Sequence, residues 1–457
     1  MESFKVNELQ DFLIRMRNEY KNRFGKDKLT VEMSVDETNP NKQITAPQRW
    51  AEELGGEYAD ILSCLDTKQY GTYVLFHYKQ LGTFTFDSEK YGNADFWDAF
   101  NGLFRCCRST VIDISDDLCE IVLRPFDKFF NMNERPETEQ KAIEEMMMNR
   151  TSVEFSDKMD GSMISARWYK NLLVVSSSKE LDPERSWRVK MAKKMILADE
   201  NIMNLLKKYD DFTAIFELIV PEDPHVVQYD YSKDKGLYLI TLRNNLYGYC
   251  IHYSVINGKI KDEFHIGHCV CYYDTITFND VLTSLSKYKS YEKEGYVMMI
   301  DGEFFVKIKC QDYVQMHGVV GALTSINLTI SHIADNTFDD FYASIPEAYK
   351  PRIKKLADYI LDWIAKQKEY VDKEAEKILN MFPDRKSRFI YIEERSMEYG
   401  SLIRSWVITK VLGNEPNYLK LRSGKVLKLK DMGIPEEQYK SFIGGWATEG
   451  DGDDDDE

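Results

Sequence analysis

At 457 residues the chain is too long for one ordinary domain, and two domains with ample cores are expected. Its 60 Lys and Arg face 76 Asp and Glu, a net charge of -16, of which the closing DGDDDDE supplies six acids. The balance argues against a protein that coats nucleic acid by global attraction; contact with a polyanion must come from a local basic surface.

The chain opens on MESFKVNELQDFLIRMRNEY, polar and helix-like, without the apolar core of a signal peptide. No stretch approaches 18 consecutive apolar residues, so no membrane span is expected. Cys64, Cys106, Cys107, Cys119, Cys250, Cys269, Cys271 and Cys310 are scattered without the spacing of a disulfide framework, which fits a reduced cytoplasm.

Up to about residue 320, runs rich in Val, Ile, Tyr and Phe alternate with turns: GTYVLFHY, STVIDI, EIVLRPF, SMISARWY, LLVVSSS, FTAIFELIV, GLYLITL, YGYCIHY, EGYVMMI and EFFVKIK. Tyr169-Lys170-Asn171 reads as a hairpin turn, and helical patterns interrupt at 138–149 and 185–208. The connections are often too short for crossover helices, so an α+β domain of mostly antiparallel sheets with flanking helices is predicted over 1–320. From Ile345 to Asn380 the apolar positions turn helical and Pro383 closes the run; a further helix is expected over about 391–411, ending at Gly413. A smaller all-α domain is thus predicted over 321–445, then a disordered acidic tail over 446–457.

The chemistry centres on DKMDGSMISA, where Lys158 ends a strand-like run beside Asp160 and Gly161. An unperturbed lysine is deprotonated in only about one molecule in a thousand at neutral pH, roughly 4 kcal/mol short of a nucleophile. Desolvation or neighbouring cations must close that gap. FFVKIKCQDYV offers two such cations, Lys307 and Lys309, which share a face because they are two apart on a strand. Such a pair also suits developing phosphate charge. His265, His268, Cys269 and Cys271 in HIGHCVCYY resemble zinc ligands, but a strand there would send the cysteines and His268 to opposite faces, and packing is the better reading.

Lys158-Met159-Asp160-Gly161 resembles the active-site motif of the covalent nucleotidyltransferases, the superfamily of ATP-dependent DNA ligases, RNA ligases and mRNA capping enzymes. In the family's order follow Phe216-Glu217-Leu218, His225-Val226-Val227-Gln228-Tyr229, Glu294-Gly295-Tyr296-Val297 and Lys307-Ile308-Lys309 with Tyr313; upstream lie Cys107-Arg108 and Arg124-Pro125-Phe126-Asp127-Lys128-Phe129-Phe130-Asn131. The last segment and the E-G-Y-V and K-I-K blocks are most similar to the phage-type tRNA-repair RNA ligases. Over about residues 70–320 the resemblance implies ATP and Mg2+ (or Mn2+) as cofactors and Lys158 as the nucleophile that becomes lysyl-AMP. AMP then passes to an RNA 5'-phosphate, and a 3'-hydroxyl seals the strand. It further implies Lys307 and Lys309 at the α-phosphate, Glu294 and Glu217 at the metal, and Glu217 at the ribose. Arg108 and Lys128 would stand at the pyrophosphate. Asp160, Gly161, Phe130, Lys179 and Tyr313 complete the nucleotide site, while Phe130, Tyr229 and Tyr313 fit core packing equally well.

Two positions depart from the family pattern: His225, where relatives often carry arginine, and Glu180, where glycine is expected after Lys179. The helical C-terminal region implies tRNA recognition, with Asp339 or Asp340 near the metal and Lys350, Arg352, Lys354 and Lys355 as a basic patch that also reads as a wet helix face. The expected partners are a nicked tRNA and an end-healing kinase/phosphatase; a monomer in the cytoplasm, the host's if viral, completes the expectation. A capping guanylyltransferase would use GTP and lack the helical region. A non-catalytic RNA-binding protein on the same fold would have lost some of Lys158, Glu217, Glu294, Lys307 and Lys309, and all are present.

Overall fold

The structure, a computed structural model, describes residues 7–33, 43–79, 86–223, 225–314, 326–334, 337–344, 350–420, 426–427 and 432. The acidic tail expected over 446–457, the start of the helical run at Ile345 and the domain boundary expected at 320 lie outside these residues. The chain divides into two compact units between Val314 and Gln315.

The first unit opens on α1 (Glu8–Phe24), which begins where the Asn7 side chain accepts the Gln10 amide. A two-residue ladder joins β1 (Glu32–Met33) and β2 (Gln43–Ile44). Helices α2 (Ala46–Leu54) and α3 (Gly56–Ser63) follow, and the buried stripe Leu9, Phe12, Leu13 and Met16 of α1 packs with Trp50 and Ile61 on one core. That core covers an antiparallel sheet of order β3-β4-β5-β6, made of β3 (Leu65–Tyr70), β4 (Tyr73–Tyr78), β5 (Arg108–Asp113) and β6 (Glu120–Leu123). The short α4 (Leu103–Cys106) leads into β5.

Two further sheets carry the centre of the unit. β7 (Phe130–Asn131) and α5 (Gln140–Met148) precede β8 (Val153–Lys158). β9 (Ser162–Tyr169) and β10 (Leu172–Ser177) form the expected hairpin, with Lys170 and Asn171 both at positive φ (46° and 64°), as a two-residue turn that follows the strand twist requires. Helices α6 (Trp187–Ala198) and α7 (Glu200–Lys208) precede β11 (Phe212–Ile219) and β12 (Gly236–Asn244), giving a sheet of order β10-β9-β11-β12. β13 (Tyr272–Tyr273), α8 (Phe278–Ser284), β14 (Gly295–Ile300) and β15 (Phe304–Lys309) complete the other sheet, β13-β8-β14-β15-β7, antiparallel except for the parallel β15–β7 pair.

Strand alternation sets the layers. Ile164, Phe216 and Leu218 pack under α6 and α7. Phe155, Met298 and Val306 pack under α5 and α8. The opposite faces meet each other through Ile215, Met299 and Phe305. Lys158, Lys307 and Lys309 share parity with that inner face, so the two sheets form a cleft with lysines at one end.

Three local expectations need correction. The helical pattern over 185–208 is two helices, because Asp199 is extended and its carboxylate caps the amides of Asn201 and Ile202. YGYCIHY is not a strand: Gly248 turns at φ 80° against the Arg124 guanidinium, and only Cys250 bridges back to Arg243. HIGHCVC is irregular as well, with strand only at Tyr272–Tyr273 and His265 in the left-handed region.

The second unit is helical where described: α9 (Ile326–Ala334), α10 (Phe338–Ser344), α11 (Lys350–Met381), α12 (Arg385–Glu394) and α13 (Ser396–Val411). Leu356, Ile360, Val371, Ala375 and Ile378 of α11 bury against Trp406 and Val407 of α13, as their spacing predicts. The helix expected over 391–411 is interrupted at Arg395 and again at Gly400, whose φ of 69° is non-helical.

In the cleft sheet, Gly295 lies between Lys158 of β8 and Lys309 of β15 in one cross-strand row. A Cβ at Gly295 would overlap the carbonyl oxygen of Ile308. Gly295→Ala should therefore push β14 off β15 and destabilise the unit by about 1–3 kcal/mol, read from urea unfolding followed by circular dichroism.

Candidate active site

The centre of the site is one carboxylate shared by two lysines. Glu294 stands just before β14, and its Oε1 is ion-paired with Lys158 Nζ and lies 3.5 Å from Lys309 Nζ. The row Lys158–Gly295–Lys309 brings these side chains together, since the glycine between them contributes none. Glu294 is only 2 % exposed. Burial pushes its carboxyl up to about 7, although Lys158 and Lys309 pull the other way. Lys307, one cross-strand row further in and itself buried, lies 5.3 Å from the Phe129 ring centroid.

The turn from β8 to β9 also moves the chain from one sheet to the other, and Met159, Asp160 and Gly161 make that crossing. Gly161 donates its amide to Glu217 Oε1 (3.0 Å) on β11. A Cβ at Gly161 would sit 2.6 Å from the carbonyl oxygen of Leu218, so only glycine lets the turn lie this close. Asp160 is held from several sides. Its Oδ1 accepts from the Tyr313 hydroxyl (2.9 Å), its Oδ2 accepts from the Val227 amide (2.8 Å), and its own amide donates to Tyr229 Oη (2.9 Å). Burial raises the Asp160 carboxyl, but the His225 contact and the Val227 amide outweigh it and hold it at about 2. Tyr229 and Tyr313 thus have a defined polar task as braces of the turn.

Along Lys128-Phe129-Phe130 the alternation divides the side chains. Phe129 turns to the cleft, with the Arg108 guanidinium carbon 5.4 Å from its centroid, so one ring joins Arg108 to Lys307. Lys128 and Phe130 enter a neighbouring cluster. Lys128 Nζ lies 5.6 Å from both the Tyr78 and Trp97 rings, and Arg105, Lys128 and Arg135 surround the Phe130 ring at 5.0–5.9 Å. A cavity of about 520 Å³ opens there, lined among others by Arg105, Lys128, Phe129, Phe130, Arg243 and Phe305. The buried Arg243–Asp127 pair, with contacts of 2.6 and 3.0 Å, ties this segment to β12. Lys179 occupies the bend after β10, and Glu180 folds its carboxylate onto the amides of Leu181 and Asp182 at 3.0 and 3.1 Å.

The donor set fits a hard divalent cation. Glu294 Oε2 is buried and has no hydrogen-bond partner among the described residues, an acceptor oxygen left over once Oε1 is occupied. Among the described residues no group of three or more His, Cys, Asp or Glu is placed to hold a metal. One or two carboxylates, completed by waters and substrate phosphates, is the usual arrangement for Mg2+ and the fit here. Asp339 is exposed near the start of α10 in the second unit, and Lys350 begins α11.

The sequence reading missed a buried support behind Asp160. Arg188 on α6 makes a bidentate pair with Asp223 (2.8 and 2.9 Å), and Ser162 donates to the same carboxylate at 2.6 Å. His225 sits between Asp223 and Asp160. Asp223 and His225 share a loop, but their partners Arg188, Ser162 and Asp160 lie 35 to 65 positions away, and no local pattern announces the meeting.

Residues 106–313 match the family model described as RNA ligase. A protein of Thermovibrio ammonificans, named provisionally as an RNA ligase, is 24% identical over 262 residues, covering 54% of this chain and 64% of its own. The chain thus spans just under two thirds of that relative. An archaeal ATP-dependent RNA ligase structure is 14% identical, with 47% of this chain and 55% of that one covered at a TM-score of 0.36. A Naegleria gruberi RNA ligase solved with PPi is 19% identical, with 39% and 56% covered at 0.31. Superpositions at that level leave the assignment to the family match. The segment that builds the lysine cluster and its sheet-crossing turn, residues 106–313, is the part of the chain that matches the RNA ligase family model.

Proposed function

We propose that this chain is an ATP-dependent RNA ligase that works through a lysyl-AMP intermediate. The observation that supports this most is the buried Glu294 carboxylate shared by Lys158 and Lys309 at the end of a cleft into which Lys307 also points. In the first step Lys158 Nζ attacks the α-phosphorus of ATP. The N–P bond forms, the bond to the β-phosphate oxygen breaks, and pyrophosphate leaves. The ammonium proton has to go first, and Glu294, raised to about 7 and touching that nitrogen, is the adjacent acceptor. Lys307 and Lys309 meet the charge on the α-phosphate and Arg108 the departing pyrophosphate, while Lys128, expected beside Arg108, turns instead into the neighbouring aromatic cluster.

An oxygen of an RNA 5'-phosphate then displaces Lys158 from phosphorus, leaving AMP joined to that phosphate. A 3'-hydroxyl attacks the 5'-phosphate in turn, gives up its proton, and AMP departs as the strand is sealed. Glu294, with Glu217 across the cleft, would hold a divalent cation, Mg2+ or Mn2+, which neutralises phosphate charge when bound. The Gly161 amide fixes Glu217 for the nucleotide ribose. The proposed substrate is a tRNA nicked to 5'-phosphate and 3'-hydroxyl ends by a separate healing activity. The helical second unit and the similarity of the E-G-Y-V and K-I-K blocks to tRNA-repair ligases support that choice.

Incubation with a divalent cation and ATP labelled on its α-phosphate should leave label on the wild-type protein that survives alkali and is released by acid, as a phosphoramidate requires, and none on Lys158→Ala. Label from GTP instead moves the chain to the capping enzymes, and no label from either, in folded protein free of prior AMP, makes it a binding module. Glu294→Gln keeps the shape but removes the proton acceptor and leaves Lys158 and Lys309 without their anion. Its single-turnover labelling rate should fall by about a hundredfold or more, whereas a variant within threefold of wild type removes Glu294 from the chemistry.

A further inference from the structure

His225 lies in the loop between β11 and β12, and each of its ring nitrogens faces a carboxylate. Nδ1 is 3.5 Å from Asp160 Oδ1 and Nε2 is 3.5 Å from Asp223 Oδ2. A neutral imidazole has one donor and one acceptor, so one of these faces would oppose two lone pairs; only the imidazolium donates from both. Nε2 is buried and has no hydrogen-bond partner among the described residues, so its approach to Asp223 is an ion-pair contact. The two carboxylates have different attachments. Asp223 is anchored by Arg188 on α6 and by Ser162, whereas Asp160 is the middle residue of the turn that carries Lys158 into the cleft.

We propose that His225 is a positioning residue for the ligase reaction: as an imidazolium it joins Asp160 to the anchored Asp223–Arg188 pair and fixes the turn between Lys158 and Gly161. This rests on the ligase reading of Lys158. The charged groups facing the ring are Asp160 in the turn, Asp223 two residues earlier in the same loop and Arg188 on α6 behind it. Tyr229 and Tyr231 lie in its own loop, Tyr313 follows β15, and the Lys158 charge reaches Asp160. Burial disfavours the charged ring, but the two carboxylates outweigh it and hold its pKa well above the ordinary histidine value. The sign follows. The tie is complete while the ring is charged and is lost as pH rises through the elevated value, so the dependence appears on the alkaline side.

The test compares wild type, His225→Gln and His225→Arg in single-turnover labelling from ATP across pH. His225→Gln should label about tenfold or more slowly, with half-saturation for ATP within threefold, because the histidine fixes the nucleophile's turn and not the nucleotide. His225→Arg, which is permanently charged, should recover most of the rate and lose the alkaline decline that titration of the ring causes. Wild-type rate and pH profile in His225→Gln overturn the proposal, as does an arginine variant no better than glutamine. Nitrogen-15 spectra of histidine-labelled wild type, with the His225 signals identified by difference from His225→Arg, give a readout without turnover. Both ring nitrogens should be protonated at pH 7, and a neutral ring there overturns the clamp even if a variant fails to fold. Wild-type protein that takes no label from ATP while its His225 ring is charged defeats the ligase reading and, with it, the role in ligation, but leaves the ionic clamp standing.

Discussion

Everything in the cleft depends on burying Glu294 between two lysines. Removing an ion from water costs several kcal/mol even after relaxation, and a pair recovers that only with good geometry. Here one carboxylate oxygen serves two ammonium groups, the other oxygen has no partner among the described residues, and Lys307 and Arg108 crowd the Phe129 ring beside them. Lys158, Lys307, Lys309 and Arg108 are thus gathered with Glu294 at this end of the cleft. Glu294 is in direct contact with Lys158. In the proposed reaction the same contact would hold Lys158 in place and set its proton beside a carboxyl raised to about 7.

Such a cluster tolerates no slippage. Because strand side chains alternate, a one-residue shift of β14 against β8 would send Gly295 to the helix-covered face and destroy the row Lys158–Gly295–Lys309. The register is pinned from behind. Lys293, next to Glu294 in sequence, turns away from the cleft, ion-pairs with Asp157, and lies 3.8 Å from the Tyr296 ring centroid and 4.8 Å from that of Tyr273. Two adjacent residues, Lys293 and Glu294, so face opposite sides of the sheet and pair with adjacent residues of β8, Asp157 and Lys158. One pair is structural and the other is poised for chemistry.

Much of this is legible in the sequence because it is local. The alternation that marks β8, β14 and β15 as strands also places Lys158, Lys307 and Lys309 on one face, and the helical spacing in α11 yields its buried stripe. What is not legible depends on distant partners. Asp199 breaks a helical pattern by capping, which propensity alone does not foretell. YGYCIHY has a strand's composition, but Arg124, far away in sequence, packs against the glycine that turns it. Phe129 and Phe130 look interchangeable until β7 pairs with β15, and the pairing sends one to the lysines and the other into a cage of cations. The same limit hides the meeting of Arg188 with Asp223 and His225, which requires α6 and the β11–β12 loop to be placed together.

The tetrapeptide Lys158-Met159-Asp160-Gly161 has a mechanical explanation as well as a chemical one. Lys158 is the last residue of a strand in one sheet and Ser162 the first residue of a strand in the other, so three residues must carry the chain across the cleft. Gly161 must lie against the backbone of Leu218 to reach the second sheet, which excludes a side chain. Asp160 sits at the midpoint with no regular ladder to hold it, and its carboxylate substitutes by binding a residue from each flank: Tyr313 beyond the first sheet's last strand and Val227 in the loop beyond β11 of the second. In the proposed reaction lysine would provide the reactive atom, while aspartate fixes the bridge and glycine lets it close. On the proposed reading, Lys158 at the foot of this bridge stands where groups from both sheets, Glu294 and Lys309 from one and Glu217 from the other, would act on the same substrate.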